Sequence, residues 1–160
     1  MVIYETGEYK SSQAGDGGRM AMPLSAVERI ESVPLSEIEY TGGRAVLQYR
    51  GELLPLEDDG NVLHALALAE AEATPSPGDA AKDGVTATVL ICLRPEAHGA
   101  RRVGMVVWRV LDVSAGRLLA ADAAASEQQL AMVKNRVTTI HRGFAQQAGL
   151  PQTPILKEVA

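Results

Sequence analysis

The sequence predicts an all-β protein built from two copies of one β unit. Three observations carry this: a tight hairpin in the first half, apolar runs of strand type in the second half, and a likeness between the halves at a nearly constant offset. The hairpin is Ala45 to Leu56, where the runs Val46–Tyr49 and Glu52–Leu56 flank Arg50-Gly51. Gly51 supplies the positive φ that a two-residue turn needs. Pro55 has no amide hydrogen, so its strand is expected to end there or lie at a sheet edge, leaving a free rim.

The likeness between the halves is read residue by residue. Arg19-Met20-Ala21-Met22-Pro23-Leu24-Ser25-Ala26-Val27-Glu28-Arg29-Ile30 aligns with Arg102 to Val113, an offset of 83. Tyr49 to Leu56 aligns with Val133 to Ile140, an offset of 84. In both hairpins a basic residue, Arg50 or Lys134, precedes one that tolerates positive φ, Gly51 or Asn135.

The elements follow in order. Val2–Glu5 is a short strand, and Gly7 to Gly18 reads as a long polar loop whose glycines lack the Gly-Lys-Ser/Thr of a phosphate-binding loop. Arg19 to Pro23 is a strand leading to Leu24, Val27 and Ile30. Their spacing of three fits either a helical turn or a strand that bends and continues. Val33 to Glu39 reads as a helical turn with Ser36 as its cap and Glu39 at capping-box spacing. Val62 to Ala73 is a crossover helix with Leu63, Leu66 and Ala67 on one side.

Thr74-Pro75-Ser76-Pro77-Gly78-Asp79 marks a linker, taken as 74–84, between subdomains 1–73 and 85–145. Val85 to Leu93 is a strand of the kind buried on both faces, Pro95 to Ala100 is a turn, and Arg102 to Val113 is one long strand. Gly116 marks a turn, Leu130–Val133 and Arg136–Ile140 are the last strands, and Phe144 to Ala148 is a closing helical turn before a tail over 146–160.

Composition narrows the function. The 160 residues, 46% of them hydrophobic, suit one domain or two small subdomains sharing a core. No run of about 18 apolar residues and no secretory leader occurs, so a cytoplasmic protein without membrane insertion is expected. Cys92, the one cysteine, reads as a buried, inert thiol. The net charge of −5 is unevenly spread: residues 1–80 hold 5 Lys/Arg against 14 Asp/Glu, and residues 81–160 hold 10 against 6. Head-to-tail association of unlike halves and two separately solvated faces both fit that asymmetry.

Catalytic patterns do not emerge. His64, His98 and His141 lack metal-ligand spacing, no Gly-x-Ser-x-Gly elbow or kinase motif occurs, and Glu57-Asp58-Asp59 reads as a solvated turn more readily than a cation site. No enzyme activity, cofactor or metal is expected.

The segments Met22-Pro23-Leu24-Ser25-Ala26-Val27-Glu28-Arg29-Ile30 and Tyr49-Arg50-Gly51-Glu52-Leu53-Leu54-Pro55-Leu56 resemble the CheW-like domain. That coupling module of bacterial chemotaxis occurs as the free adaptor CheW and as the C-terminal regulatory domain of the histidine kinase CheA, and the wording is closer to the kinase version. The resemblance implies two five-stranded barrels like SH3 domains, side by side over an apolar interface. It also implies a non-catalytic scaffold at receptor arrays on the inner face of the membrane, whose partners are the CheW adaptor or a CheA-type kinase and the chemoreceptor cytoplasmic tip. The second copy departs from the family pattern, with Ala131 where a glycine is common and a short stretch from Ala120 to Leu130.

Carried over where the motif matches, the candidate partner-binding residues are Arg50, Gly51, Leu53, Leu54, Pro55 and Leu56, with Ile38 and Tyr40 near them in sequence. Successive strand side chains point to opposite faces, so alternate members of this set belong to the core. Trp108 reads either as an exposed contact, by alternation from Met105 and Val107, or as core. A free-standing adaptor is the alternative within the family. A small β-barrel enzyme would need converging acids and histidines, and a nucleic-acid-binding barrel would need Arg101, Arg102, Arg109, Lys134, Arg136 and Arg142 on one face.

Overall fold

The computed structural model describes residues 1–6, 18–72, 84–119, 130–141 and 144. Its elements are β1 (Val2–Glu5), β2 (Arg19–Met22), β3 (Val27–Pro34), β4 (Ile38–Thr41), β5 (Arg44–Tyr49), β6 (Glu52–Glu57), α1 (Val62–Glu72), β7 (Thr86–Glu96), β8 (Gly99–Val107), β9 (Arg109–Val113), β10 (Gly116–Leu118), β11 (Leu130–Val133) and β12 (Arg136–Ile140). The strands form two curled sheets of six, in the orders β10-β11-β12-β2-β1-β9 and β3-β7-β8-β6-β5-β4. The all-β class is therefore as expected, with six strands in each sheet where five-stranded units were anticipated.

Neither sheet comes from one stretch of chain. The first takes β1 and β2 from the first half and β9 to β12 from the second; the other takes β3 to β6 from the first half and β7 and β8 from the second. The sheets thus cross the expected division into 1–73 and 85–145. The sequence repeat nevertheless reappears in the register. Leu56 lies opposite Gly104 in the parallel pairing of β6 with β8, and Ile140 lies opposite Ala21 in that of β12 with β2. These pairs are related by the same offsets of 84 and 83. The edge strands repeat as well: β9 meets β1 at Asp112–Ile3 and then Val110–Tyr4, and β3 meets β7 at Arg29–Ile91 and then Val27–Cys92, with the register slipping at the matching step.

Local chemistry explains most elements. Both repeat hairpins close on two-residue turns with positive φ, at Arg50 (51°) and Gly51 (80°) and at Lys134 (49°) and Asn135 (59°), the twist that suits right-handed strands. Among the described residues three buried clusters fill the interior. β7 serves two of them, with Ala87, Val89 and Ile91 in one and Leu90 and Cys92 in the other, as an unbroken apolar run predicts. Burial pushes the Cys92 thiol up to about 12, so it stays protonated beside Met22. Helix α1 starts where the Asp58 carboxylate accepts from the amides of Val62 (2.7 Å) and Leu63 (2.9 Å), an N-terminal cap. Val62 and Leu63 are buried, whereas Ala67 is exposed.

Four local expectations are corrected. Pro55 does not end its strand, which runs on to Glu57 and joins β8 from Leu56, so the edge is open only as far as Pro55 itself; Pro55 pairs with Val46, two positions beyond the Gln48–Leu53 pair, where the amide of an antiparallel strand points away from its partner. A missing donor costs nothing there, because β6 meets β8 only from Leu56 onward. The segment from Val33 to Glu39 makes just a 3-10 turn at Leu35–Glu37, preceded by Pro34 and without a side-chain cap from Ser36. The long strand Arg102–Val113 breaks at Trp108, whose amide donates to Glu5 O at 2.7 Å as the chain passes from one sheet to the other. Gly116 stands in β10, and the chain does not reverse there: β9 and β10 run in the same direction at opposite edges of one sheet.

Leu24 to Ala26 resolves the open question upstream: a 3-10 turn leads into a continuing strand. The loop over 7–17, the linker up to residue 83, the stretch 120–129, and the closing turn and tail apart from Phe144 lie outside the described residues.

Unlike charges of the two halves meet inside the chain. Glu5 pairs with Arg109 (2.7 Å), Glu28 with Arg102 (2.7 Å) and Glu57 with Arg94, and Asp59 shares a hydrogen bond with His141 (3.0 Å). The charge asymmetry therefore complements itself within one molecule before any partner is considered.

The Leu56–Gly104 contact gives the first prediction. A Cβ on Gly104 would stand 2.5 Å from Leu56 Cδ2 and 2.9 Å from Val89 Cγ1. Gly104→Val should lower the free energy of unfolding in urea by about 1–3 kcal/mol with the slope unchanged; an unaltered midpoint would contradict this packing.

Candidate functional site

The candidate site follows from the limited contact between β6 and β8. β6 pairs with β5 from Glu52 to Pro55, but its backbone pairs with β8 only at Leu56–Gly104 and Glu57–Met105. Toward the hairpin turn the two strands part, because β8 continues along β7 to Gly99. The opening is a cleft of about 350 Å³ lined by Tyr49, Glu52, Leu53, Leu54 and Pro55 on one wall and Ala100, Arg101 and Arg102 on the other.

Strand alternation divides the predicted residues. Leu53 is 63% exposed, while Leu54 (2%) and Leu56 (8%) are buried with Val89 and Ile91. Ile38 is also core, at 8%. Leu54, Leu56 and Ile38 are therefore corrected from candidate contacts to core residues, since their side chains are already enclosed. Arg50, Gly51 and Leu53 are exposed at the hairpin end and Pro55 is half-buried. The Arg50 guanidinium lies 5.3 Å from the centre of the Tyr49 ring, a cation–π contact that keeps this cation at the rim.

Two candidates fall elsewhere. Tyr40, 68% exposed, lines a separate groove of about 390 Å³ with His64 and Asp58 on the α1 side. Trp108 is 41% exposed and lines neither groove. Its exposure comes from the break between β8 and β9, not from alternation, because Met105, Val106 and Val107 are all buried.

Sequence reasoning missed the opposite wall. Arg102 Nε donates to Glu28 Oε2 at 2.7 Å, and its Nη1 donates to Glu52 Oε2 at 3.4 Å, so one guanidinium ties β8 to β3 and β6. This hydrogen bond holds the Glu28 carboxyl below its ordinary range and raises Arg102. Arg101 pairs with Glu96 at 3.7 Å. The available signal was the repeat itself, in which Arg102 occupies the position of Arg19. Arg19 stands against the second hairpin, its Nε donating to Thr138 Oγ1 at 3.3 Å. Likewise Leu53 and Val137, 84 positions apart, are both exposed beside their turns, at 63% and 45%.

The chemistry available here is contact chemistry: an apolar side chain, a proline, a stacked cation and a paired guanidinium around an open strand edge. The acids that might have held a cation are each engaged, Glu57 by Arg94, Asp58 by the α1 amides and Asp59 by His141. Among the described residues no group of three His, Cys, Asp or Glu side chains is placed to hold a metal ion. Of the cations a nucleic-acid face would use, Arg101, Arg102, Arg109 and Lys134 all carry carboxylate partners. No helix among the described residues is long and apolar enough to cross a membrane. No family model matches the chain, and no curated protein matches it either.

The second hairpin supplies a pH test. Lys134 and Ser114 both bond the Asp112 carboxylate, holding its pKa at about 2. A depressed carboxyl stabilises the fold at pH above its ordinary value near 3.8, and that contribution is lost as pH falls through about 2. Carboxyl-carbon NMR should show Asp112 titrating near 2 and moving toward its ordinary value in Lys134→Ala; an unmoved midpoint would discard this pairing.

Proposed function

We propose that this chain is a CheW-like coupling domain, closest to the C-terminal regulatory domain of a CheA-type histidine kinase, and that it links that kinase to the CheW adaptor and chemoreceptor tips without catalysis of its own. The observation that carries the reading is the hairpin Tyr49-Arg50-Gly51-Glu52-Leu53-Leu54-Pro55-Leu56, in which the residues of the resembling motif that escape the core gather at one open rim. Two curled sheets related by a repeat fit the double-barrel form that the resemblance implies.

The rim suits protein contact in physical terms. Leu53 and Pro55 supply apolar area, and Arg50 supplies orientation through charge-assisted hydrogen bonds to a partner carboxylate or carbonyl. Free energy comes from the first group and register from the second. Contacts of this size are weak singly and become effective in an array, where many act at once. The receptor array at the inner face of the membrane is the proposed place of action. A free-standing adaptor would use the same rim.

The test is capture of the CheW adaptor and of a receptor signalling tip on immobilised protein. Wild type should bind. Arg50→Glu and Leu53→Asp should each weaken binding at least tenfold, about 1.4 kcal/mol, with circular dichroism unchanged because both side chains are exposed. No binding by wild type at about 100 μM, a concentration at which signalling contacts register, would end this reading; binding indifferent to both changes would move the site off the hairpin.

A further inference from the structure

We infer that the two halves of the chain are partners for one another, a first half ending at α1 and a second beginning at β7, and that they recognise each other as two molecules would, without needing the covalent link between them. The inference is independent of the proposed function.

Each buried cluster is shared. Leu47, Leu54 and Val62 of the first half pack with Val89, Ile91 and Val106 of the second. Val2, Tyr4 and Met22 pack with Leu90, Cys92 and Val103. Ile3 and Ala21 pack with Ala131, Val133 and Ile140. Among the described residues, then, neither half has a core of its own. What each half has instead is a face that the other completes: β1 and β2 need β9 and β12, and β7 and β8 need β3 and β6. Four strand pairings, the ion pairs Glu5–Arg109, Glu28–Arg102 and Glu57–Arg94, and the Asp59–His141 hydrogen bond all run between halves.

Charge favours encounter. Residues 1–80 carry −9 and residues 81–160 carry +4, and opposite net charges speed association. The link is also undemanding in geometry. Gly84 returns beside α1, the helix the chain has just left, with Glu70 Oε1 3.8 Å from where a Cβ on Gly84 would stand. No distant points have to be held together. Since the halves lack separate cores, their association is coupled to folding and buries far more surface than docking of two finished domains.

The test begins from the intact, folded protein carrying a protease site in place of residues 75–78. After cleavage the two pieces should elute as one species with the spectrum of the uncut chain. Separated in urea and returned to buffer, each should show no cooperative transition alone, and mixing them one to one should restore both spectrum and transition. Arg94→Glu should weaken reassociation at least tenfold, and adding Glu57→Arg should recover most of that loss. Pieces that part on cleavage, or a single half that unfolds cooperatively alone, would overturn the inference. Equal weakening by Arg94→Glu with and without Glu57→Arg would remove that ion pair from the recognition surface.

Discussion

Two short parallel contacts hold this architecture together, Leu56 against Gly104 and Ile140 against Ala21. At each, a hairpin from one half of the chain joins a strand pair from the other. Such a contact needs small residues, because the strand that receives the hairpin is covered on its other side. At Gly104 a side chain would collide with Leu56 and Val89. Without these contacts β4-β5-β6 and β10-β11-β12 would be isolated three-stranded sheets, and their apolar faces would have nothing to cover them.

The brevity of the contact between β6 and β8 also shapes the surface. Because the backbones pair at two residues and then part, the hairpin end of β6 keeps one edge unpaired. An open strand edge invites association, and proteins commonly manage it with charge and proline. Arg101 and Arg102 facing it and Pro55 within it fit that practice, while exposed Leu53 keeps the edge adhesive. The cleft thus combines restraint against indiscriminate pairing with an exposed apolar anchor, the balance that the proposed coupling role would use.

Much of this was legible in the residues, and what was not has a common cause. Two-residue turns at Arg50-Gly51 and Lys134-Asn135 declare themselves through positive-φ residues between strand-forming runs, and β7 declares itself by an unbroken apolar run. The repeat was visible as well, since duplicated packing demands duplicated side chains. Which strand pairs with which was not visible, because periodicity reports the burial of a face and not the identity of its neighbour. That is why consecutive subdomains were expected where the halves exchange strands, and why the run of β6 past Pro55 to meet β8 was not foreseen. The candidate site was legible by half: alternation requires that Leu54 and Leu56 be core once Leu53 is not, but Ile38 and Tyr40 were included by nearness in sequence alone. Arg101 and Arg102 lie about 50 residues from the hairpin they face, and only the pairing of β6 with β8 brings them there.

In the proposed function the open rim of β6, and not the α1 groove or the Trp108 bend, receives the partner. Amide chemical-shift mapping of the isotope-labelled domain during titration with the CheW adaptor tests it most directly. Perturbations should gather at Arg50, Gly51, Leu53, Arg101 and Arg102 and leave Tyr40, His64 and Trp108 unmoved. Perturbations centred on Tyr40 and His64, or a spectrum that the adaptor leaves unchanged, would contradict it.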